Sequence, residues 1–301
     1  MKINGRKKGK KKFLPITFMV GPTAIWLFAF LLLPLMYAVA MSFAQKGVFG
    51  GIVWKFSLFN YKDMFKLIYL KVAVKSLILA FETSLWCLII SYPFAYILSK
   101  VSSKWKGFCM LLIMLPFWIN GLIRLNGWTN VLRDTGLINT ILIKIGVIHK
   151  PIEMMFTDGA ILFGMVYAFF PFMVLPILTS ISKIDYNLIE AAQDLGATKV
   201  KTFLRVIFPL TVPGVFAGVI QVFIPSLGAF YISDIMGGGN TTLLGNLIKN
   251  QFLSARNWPL GAAFSVALIV FTLIVMKLYT KVGKIEDMMQ SEGRKVVHDK
   301  T

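Results

Sequence analysis

The stretch Asp185-Tyr-Asn-Leu-Ile-Glu190-Ala191-Ala192-Gln-Asp194-Leu195-Gly196-Ala-Thr198-Lys199-Val-Lys201-Thr-Phe203-Leu204-Arg205-Val206-Ile207-Phe208-Pro209 lies between two long apolar blocks. Leu188, Ala191, Ala192 and Leu195 recur at steps of three and four, the period of one helical face. Gly196 then offers a residue that tolerates positive φ. Thr198 can cap a second helix by accepting from an orphan backbone N–H. Pro209 marks the approach to the next apolar block. The pattern predicts a helix–turn–helix elbow at a membrane surface, offering a small, partly apolar knob to something outside the membrane.

The flanking blocks run over about residues 160–182 and 212–232, and others over about 18–41, 72–98, 108–127 and 261–279. Each approaches or exceeds the roughly 20 apolar residues that cross a hydrocarbon core, with some tilt allowed. Six such blocks, with 57% hydrophobic and only 15% charged residues, predict an all-α polytopic membrane protein of about six transmembrane helices. The first block exceeds the ~7–15 apolar residues of a secretory signal, so Ala38-Val39-Ala40 is read as part of an uncleaved helix. Prolines 34, 93, 116, 171, 176 and 225 fall inside blocks and predict kinks, which membrane bundles tolerate because neighbours re-satisfy the freed backbone groups. The apolar stretch 137–148 predicts a short interfacial helix in the long connection 128–159.

The net charge of +19 does not point to nucleic acid. The basic residues flank the apolar blocks, as juxtamembrane residues do, and no basic helix is interleaved with stacking aromatics. With the N-terminus inside, 20 of the 32 lysines and arginines fall on the inner side and 12 on the outer, which predicts both termini in the cytoplasm. The expected organisation is a basic segment 1–12, a transmembrane domain 13–282 with the elbow at about 185–209, and a cytoplasmic tail 283–301. Cys87 and Cys109 both lie in apolar blocks and suggest neither a disulfide framework nor a metal motif. Gly5-Arg-Lys-Lys-Gly9-Lys10 is too short and lacks the Ser or Thr of a phosphate loop. His149 and His298 stand apart. The expectations are therefore no metal, no catalytic centre and no cofactor on this chain.

Glu82 is the one acidic residue deep in an apolar block. It borders a pathway, or it is neutralised by protonation or a partner subunit's residue, since central charge is costly. Trp118 and Asn120 lie near the outer half of the third block, and Asp234, beside Tyr231, lies at the outer end of the fifth. They are candidates for the mouth of a path; a cationic cargo, which only a family resemblance implies, would suit them because ring faces and carboxylates attract cations. For Trp118 and Tyr231 an interfacial aromatic belt is the alternative.

The elbow resembles the signature loop of bacterial ABC importer permeases, with Glu190-Ala191-Ala192, Gly196 and Pro209 at the family spacing and Val206 and Phe208 as conservative departures. Ser91-Tyr-Pro-Phe-Ala95, Leu115-Pro-Phe-Trp118, Leu122-Ile-Arg124, Met155-Phe-Thr157, Phe230 to Gly238, Gly245-Asn-Leu-Ile-Lys249, Gln251-Phe-Leu253 and Trp258 to Ala263 resemble the first of the two permeases in spermidine/putrescine importers. That resemblance implies a type I ABC importer permease fold in the bacterial plasma membrane. It implies a second permease, two ATP-binding subunits that hold ATP and Mg, an extracytoplasmic substrate-binding protein and a polyamine substrate. It implies further that Glu190, Ala191, Ala192, Asp194, Leu195 and Gly196 dock into a groove on the ATPase. Permeases for amino acids, sulfate, phosphonate or iron complexes share much of the pattern. A channel working without an ATPase, or a polytopic membrane enzyme, are the readings from other classes.

Overall fold

The computed structural model describes residues 13–298, so the basic segment 1–12 lies outside the described residues. Two units divide it: 13–64 with 251–268, and 65–250 with 269–298.

In the first unit, α1 (Phe13–Leu27) passes through a π-helical turn, Phe28–Leu32, into α2 (Leu33–Ser42). A hydrogen bond from each N–H to the carbonyl five residues back widens such a turn. Pro34 explains its place: a proline ring crowds the carbonyl four residues earlier, and the wider turn relieves that clash. Almost the whole apolar surface of this helix is uncovered by the chain, as suits a helix facing lipid or another subunit. A two-stranded antiparallel ribbon, β1 (Gln45–Lys46) with β2 (Ile52–Val53), follows in register Gln45–Val53. Then comes α3 (Phe59–Met64). Its Asn60 donates to the Ser42 and Ala44 carbonyls at 2.9 and 2.8 Å, satisfying the frayed end of α2. The long terminal helix α14 (Trp258–His298) begins in this unit; the expected tail 283–301 begins inside it.

The second unit holds α4 (Leu67–Lys100), α5 (Ser103–Met114), α6 (Gly121–Leu132), α7 (Leu137–Lys144) and α8 (Asp158–Ser182). After them come α9 (Tyr186–Asp194), α10 (Lys199–Thr202), α11 (Phe208–Gly228), α12 (Phe230–Gly237) and α13 (Leu244–Leu253). The short helix expected at 137–148 is α7. The core is α8 packed on α4 and α11. Between membrane helices there is little hydrophobic driving force, so close packing of small residues does the work. On α4, Ala80, Ser84, Cys87, Ser91 and Ala95 are buried. On α11, a side chain at Gly218 would press on the Met173 sulfur at 2.6 Å, and one at Gly214 on the Pro176 carbonyl oxygen at 2.7 Å. Four buried hydroxyls bond back to a carbonyl four residues earlier: Ser76 to Val72, Thr83 to Leu79, Ser84 to Ala80 and Ser226 to Val222, at 2.7–2.8 Å. Tyr92 and Thr211 join α4 to α11 by a 2.7 Å hydrogen bond.

Five described helices are long and apolar enough to span a membrane, and a sixth span is a bent pair. The third block, expected as one helix over 108–127, is that pair. Its halves meet at 94°. A 3-10 turn, Leu115–Trp118, ends the first half. Ile119 is extended, and Asn120 caps α6 by accepting from the Leu122 N–H at 2.9 Å. Pro116 lacks the donor that would continue the helix, and an asparagine cap starts a new one more favourably than it continues the old. Pro93, Pro171, Pro176 and Pro225 sit inside helices that run on past them. The fifth block also differs from expectation: α11 stops at Gly228, and Ala229 turns the chain into α12.

Candidate functional site

The elbow forms as its sequence dictates. Asp185 accepts from the Asn187 N–H at 3.0 Å and starts α9. Gly196 stands at φ +81°, and the Gly196 and Ala197 N–H groups return to the Gln193 and Ala192 carbonyls at 2.8 and 3.0 Å. This is the left-handed glycine stop of a helix. Thr198 then caps α10, accepting from the Lys201 N–H at 3.4 Å. Beyond that point the structure departs from two short helices. From Lys199 to Gly228 the chain is one continuous helix, with a π turn at Phe203–Ile207 before Pro209. The second arm of the elbow is the end of a spanning helix.

The outward face of the elbow is uncovered. Glu190, Ala191, Asp194 and Gly196 are exposed and Ala192 is half-buried. Leu195 is 90% exposed and Tyr186 70%. No part of the chain packs over the Leu195 side chain at this turn.

At the other end of the unit the residues of the expected mouth divide. Tyr231 is half-buried, and its ring lies 3.7 Å from where a Cβ on Gly121 would stand, so it packs beside the Asn120 cap. Phe230 meets Tyr231 edge to face. The Asp234 carboxylate pairs with Lys249 at 2.5 Å and accepts from Asn246 at 2.7 Å. Asn246 also donates to the Phe230 carbonyl at 3.1 Å, and the Lys249 ammonium sits 5.6 Å above the Phe230 ring. Trp118 is 83% exposed at the end of the 3-10 turn. Glu82 is exposed on α4 between Phe81 and Leu85, with no polar partner among the described residues. The structure thus joins Asn120, Tyr231 and Asp234 through adjoining elements and leaves Glu82 and Trp118 on open faces.

Sequence reasoning missed the partners. Lys249 and Asn246 compensate Asp234 from another helix. Arg124 donates to the Pro116 carbonyl at 2.9 Å and lies over the Phe117 and Tyr167 rings at 4.9 and 5.2 Å. A clamp joins Lys75, Asp158 and Thr241: the ion pair is 3.0 Å and the Thr241 hydroxyl donates to Asp158 at 2.6 Å. Only spacing within one element is visible in a sequence, and these groups lie far apart along the chain.

A bundle of long apolar helices with an exposed helical elbow leading into one of them defines a polytopic membrane protein. The description "Binding-protein-dependent transport system inner membrane component" matches residues 15–284, and the chain belongs to that family. It is 41% identical over 260 residues to the spermidine/putrescine transport system permease protein PotB of Escherichia coli (strain K12), covering 86% of this chain and 94% of that protein. The protein of the same name from Haemophilus influenzae is 39% identical over 274 residues, covering 91% and 95%. The fold is shared with a chain of a bacterial ABC transporter involved in the import of the acidic polysaccharide alginate: TM-score 0.74, 18% identity, 91% of this chain and 96% of that one. A second structure of the alginate transporter, in complex with its pentasaccharide-bound periplasmic protein, gives TM-score 0.74 at 17% identity over 89% and 93%. The chain is a multi-pass inner membrane transport subunit rather than an enzyme.

Proposed function

We propose that this chain is one of two permeases in an ABC importer of spermidine and putrescine. The observation that carries the reading is the elbow Glu190–Gly196, held out uncovered at Leu195 and followed within three residues by the helix that runs on into α11, in a chain 41% identical to a polyamine permease. Both termini lie in the cytoplasm, in keeping with the excess of lysine and arginine on that side. The elbow sits in a groove of one of two ATP-binding subunits, which hold ATP and Mg. This chain carries no cofactor of its own. An extracytoplasmic binding protein delivers the polyamine to the mouth around Tyr231 and Asp234, and the open face that carries Glu82 meets the second permease. Closure of the ATPase pair moves the elbow, and α11 carries that motion into the bundle, switching access from outside to inside.

The test is uptake of labelled spermidine in cells lacking the chain and in cells with it restored, with unlabelled putrescine as competitor. Uptake should vanish on deletion and return on restoration. Uptake indifferent to the chain would refute the polyamine cargo and leave an ABC permease for another solute.

A further inference from the structure

We propose that a basic cavity between the elbow and the bundle binds a phosphate-bearing anion, supplied by the headgroup of an anionic phospholipid. The cavity has a volume of about 800 Å³, within the range of small-molecule sites. Its walls come from the end of α4, the start of α5, the end of α8, and the elbow helices α9 and α10. Lys100, Lys106 and Lys199 line it with the hydroxyls of Ser99, Ser182 and Thr202, and no Asp or Glu does. None of the three ammonium groups is in an ion pair among the described residues. Lys106 is aimed by a 2.9 Å bond to the Ser182 hydroxyl, and Lys100 is held 4.1 Å above the Tyr96 ring.

Thr202 is the independent sign. It is 2% exposed, and its hydroxyl oxygen is buried without a hydrogen-bond partner. Threonine in a helix ordinarily bonds back to a carbonyl one turn earlier, as Thr83 and Thr179 do at 2.7 and 2.8 Å. An unmet hydroxyl is costly, and an oxyanion in the cavity would satisfy it together with the lysines by charge-assisted hydrogen bonds. Phosphate suits three converging donors because its oxygens accept in several directions at once. The lipid source follows from position. Trp105 precedes Lys106 in the first turn of α5 and is 63% exposed, and an exposed indole flanked by lysines sits at headgroup level. An anion bound there would tie the elbow to α4 and α5. The site does not depend on what the transporter carries.

The test uses the full chain in detergent, with bound lipid read by native mass spectrometry against phosphatidylglycerol or phosphatidylcholine of equal chain length. Wild type should retain one phosphatidylglycerol at least about tenfold more tightly, the change that one charge-assisted hydrogen bond produces. Lys106→Gln with Lys199→Gln should abolish that preference and Thr202→Val should weaken it. The control Lys144→Gln with Lys150→Gln, which removes equal charge elsewhere, should keep it. Displacement by inorganic phosphate would show that free phosphate also serves as a source, and displacement only by short-chain phosphatidylglycerol would show that the lipid is required; both support the anion site. Equal retention of the two lipids by wild type, with no saturable binding of inorganic phosphate, would overturn the proposal without any variant having to fold. Preference unchanged in the double variant would overturn it equally.

Discussion

Asp234 on α12 and Lys249 on α13 form an ion pair at 2.5 Å, with Asn246 as a third member and the Phe230 ring beneath the ammonium. The carboxylate expected to meet a polyamine is therefore already held by the protein's own primary amine, in the setting an alkylammonium substrate would seek. The pair is partly open to solvent, where ion pairs are worth about 0–1 kcal/mol. Asp234→Asn should leave the unfolding midpoint within roughly 4 °C of wild type while lowering kcat/KM for spermidine uptake about tenfold or more. Unaltered uptake by the Tyr231→Ala, Asp234→Asn double variant, at normal membrane levels, would remove both residues from the mouth.

The α8–α11 contact makes a separate stability prediction. A Cβ at Gly214 would stand 2.5 Å from the Ser180 Cβ and one at Gly218 would stand 2.6 Å from the Met173 sulfur, whereas at Gly127 nothing lies within 4 Å. Overpacking of a filled core costs about 1–3 kcal/mol. Gly214→Val should lower the detergent-solubilised unfolding midpoint by several degrees, Gly218→Ala should also lower it, since the Met173 backbone lies 3.2–3.3 Å from the new Cβ besides the movable sulfur, and Gly127→Ala should lower it by none. A midpoint for Gly214→Val equal to that of Gly127→Ala would mean that α8 and α11 do not approach as closely as described.

The elbow is legible in the sequence, whereas the packing role of Gly214 and Gly218 is not, because what they touch lies on another helix. The apolar blocks and the caps at Thr198 and Gly196 are readable because each rests on neighbours within one or two turns. The bend at Trp118–Gly121 is harder to read. Asn120 near the end of an apolar block suits a mouth, and its competing role as a helix cap shortly after a proline decides the local structure instead. The continuity of α10 with α11 is hidden for the opposite reason: Pro209 reads as a boundary, yet the π turn before it absorbs the ring. The Lys249, Asn246 and Lys75 partnerships depend on the tertiary fold and have no local signature.

Glu82 gives a prediction with two readouts. It is exposed at the middle of a spanning helix between Phe81 and Leu85, so it faces away from this chain's own core. A charged residue at that depth costs about 2.5–3.5 kcal/mol on insertion scales and is retained where it meets a pathway or a partner. Glu82→Gln should therefore match or exceed wild type in membrane level while lowering uptake. Unchanged expression with unchanged uptake kinetics would leave no reason to place it on the path.

Gly196 tests the lever most directly. It is exposed at φ +81°, and nothing lies within 4 Å of where a Cβ would stand, so backbone conformation alone constrains it. A non-glycine residue there costs roughly 1–2 kcal/mol, too little to prevent insertion of a bundle whose core lies elsewhere. Gly196→Asp adds a charge at the tip beside Leu195, on the surface expected to enter the ATPase groove. Desolvating that charge opposes docking. The variant should reach the membrane at normal levels, with overall helical content unchanged by circular dichroism. It should lose co-purification with the ATP-binding subunit and lose uptake together. Gly196→Ala separates the two contributions, since it adds the strain without the charge, and should retain most of the docking. Normal uptake by Gly196→Asp would contradict the lever. Lost uptake with undiminished ATPase binding would move the defect from docking to transmission along the Lys199–Gly228 helix.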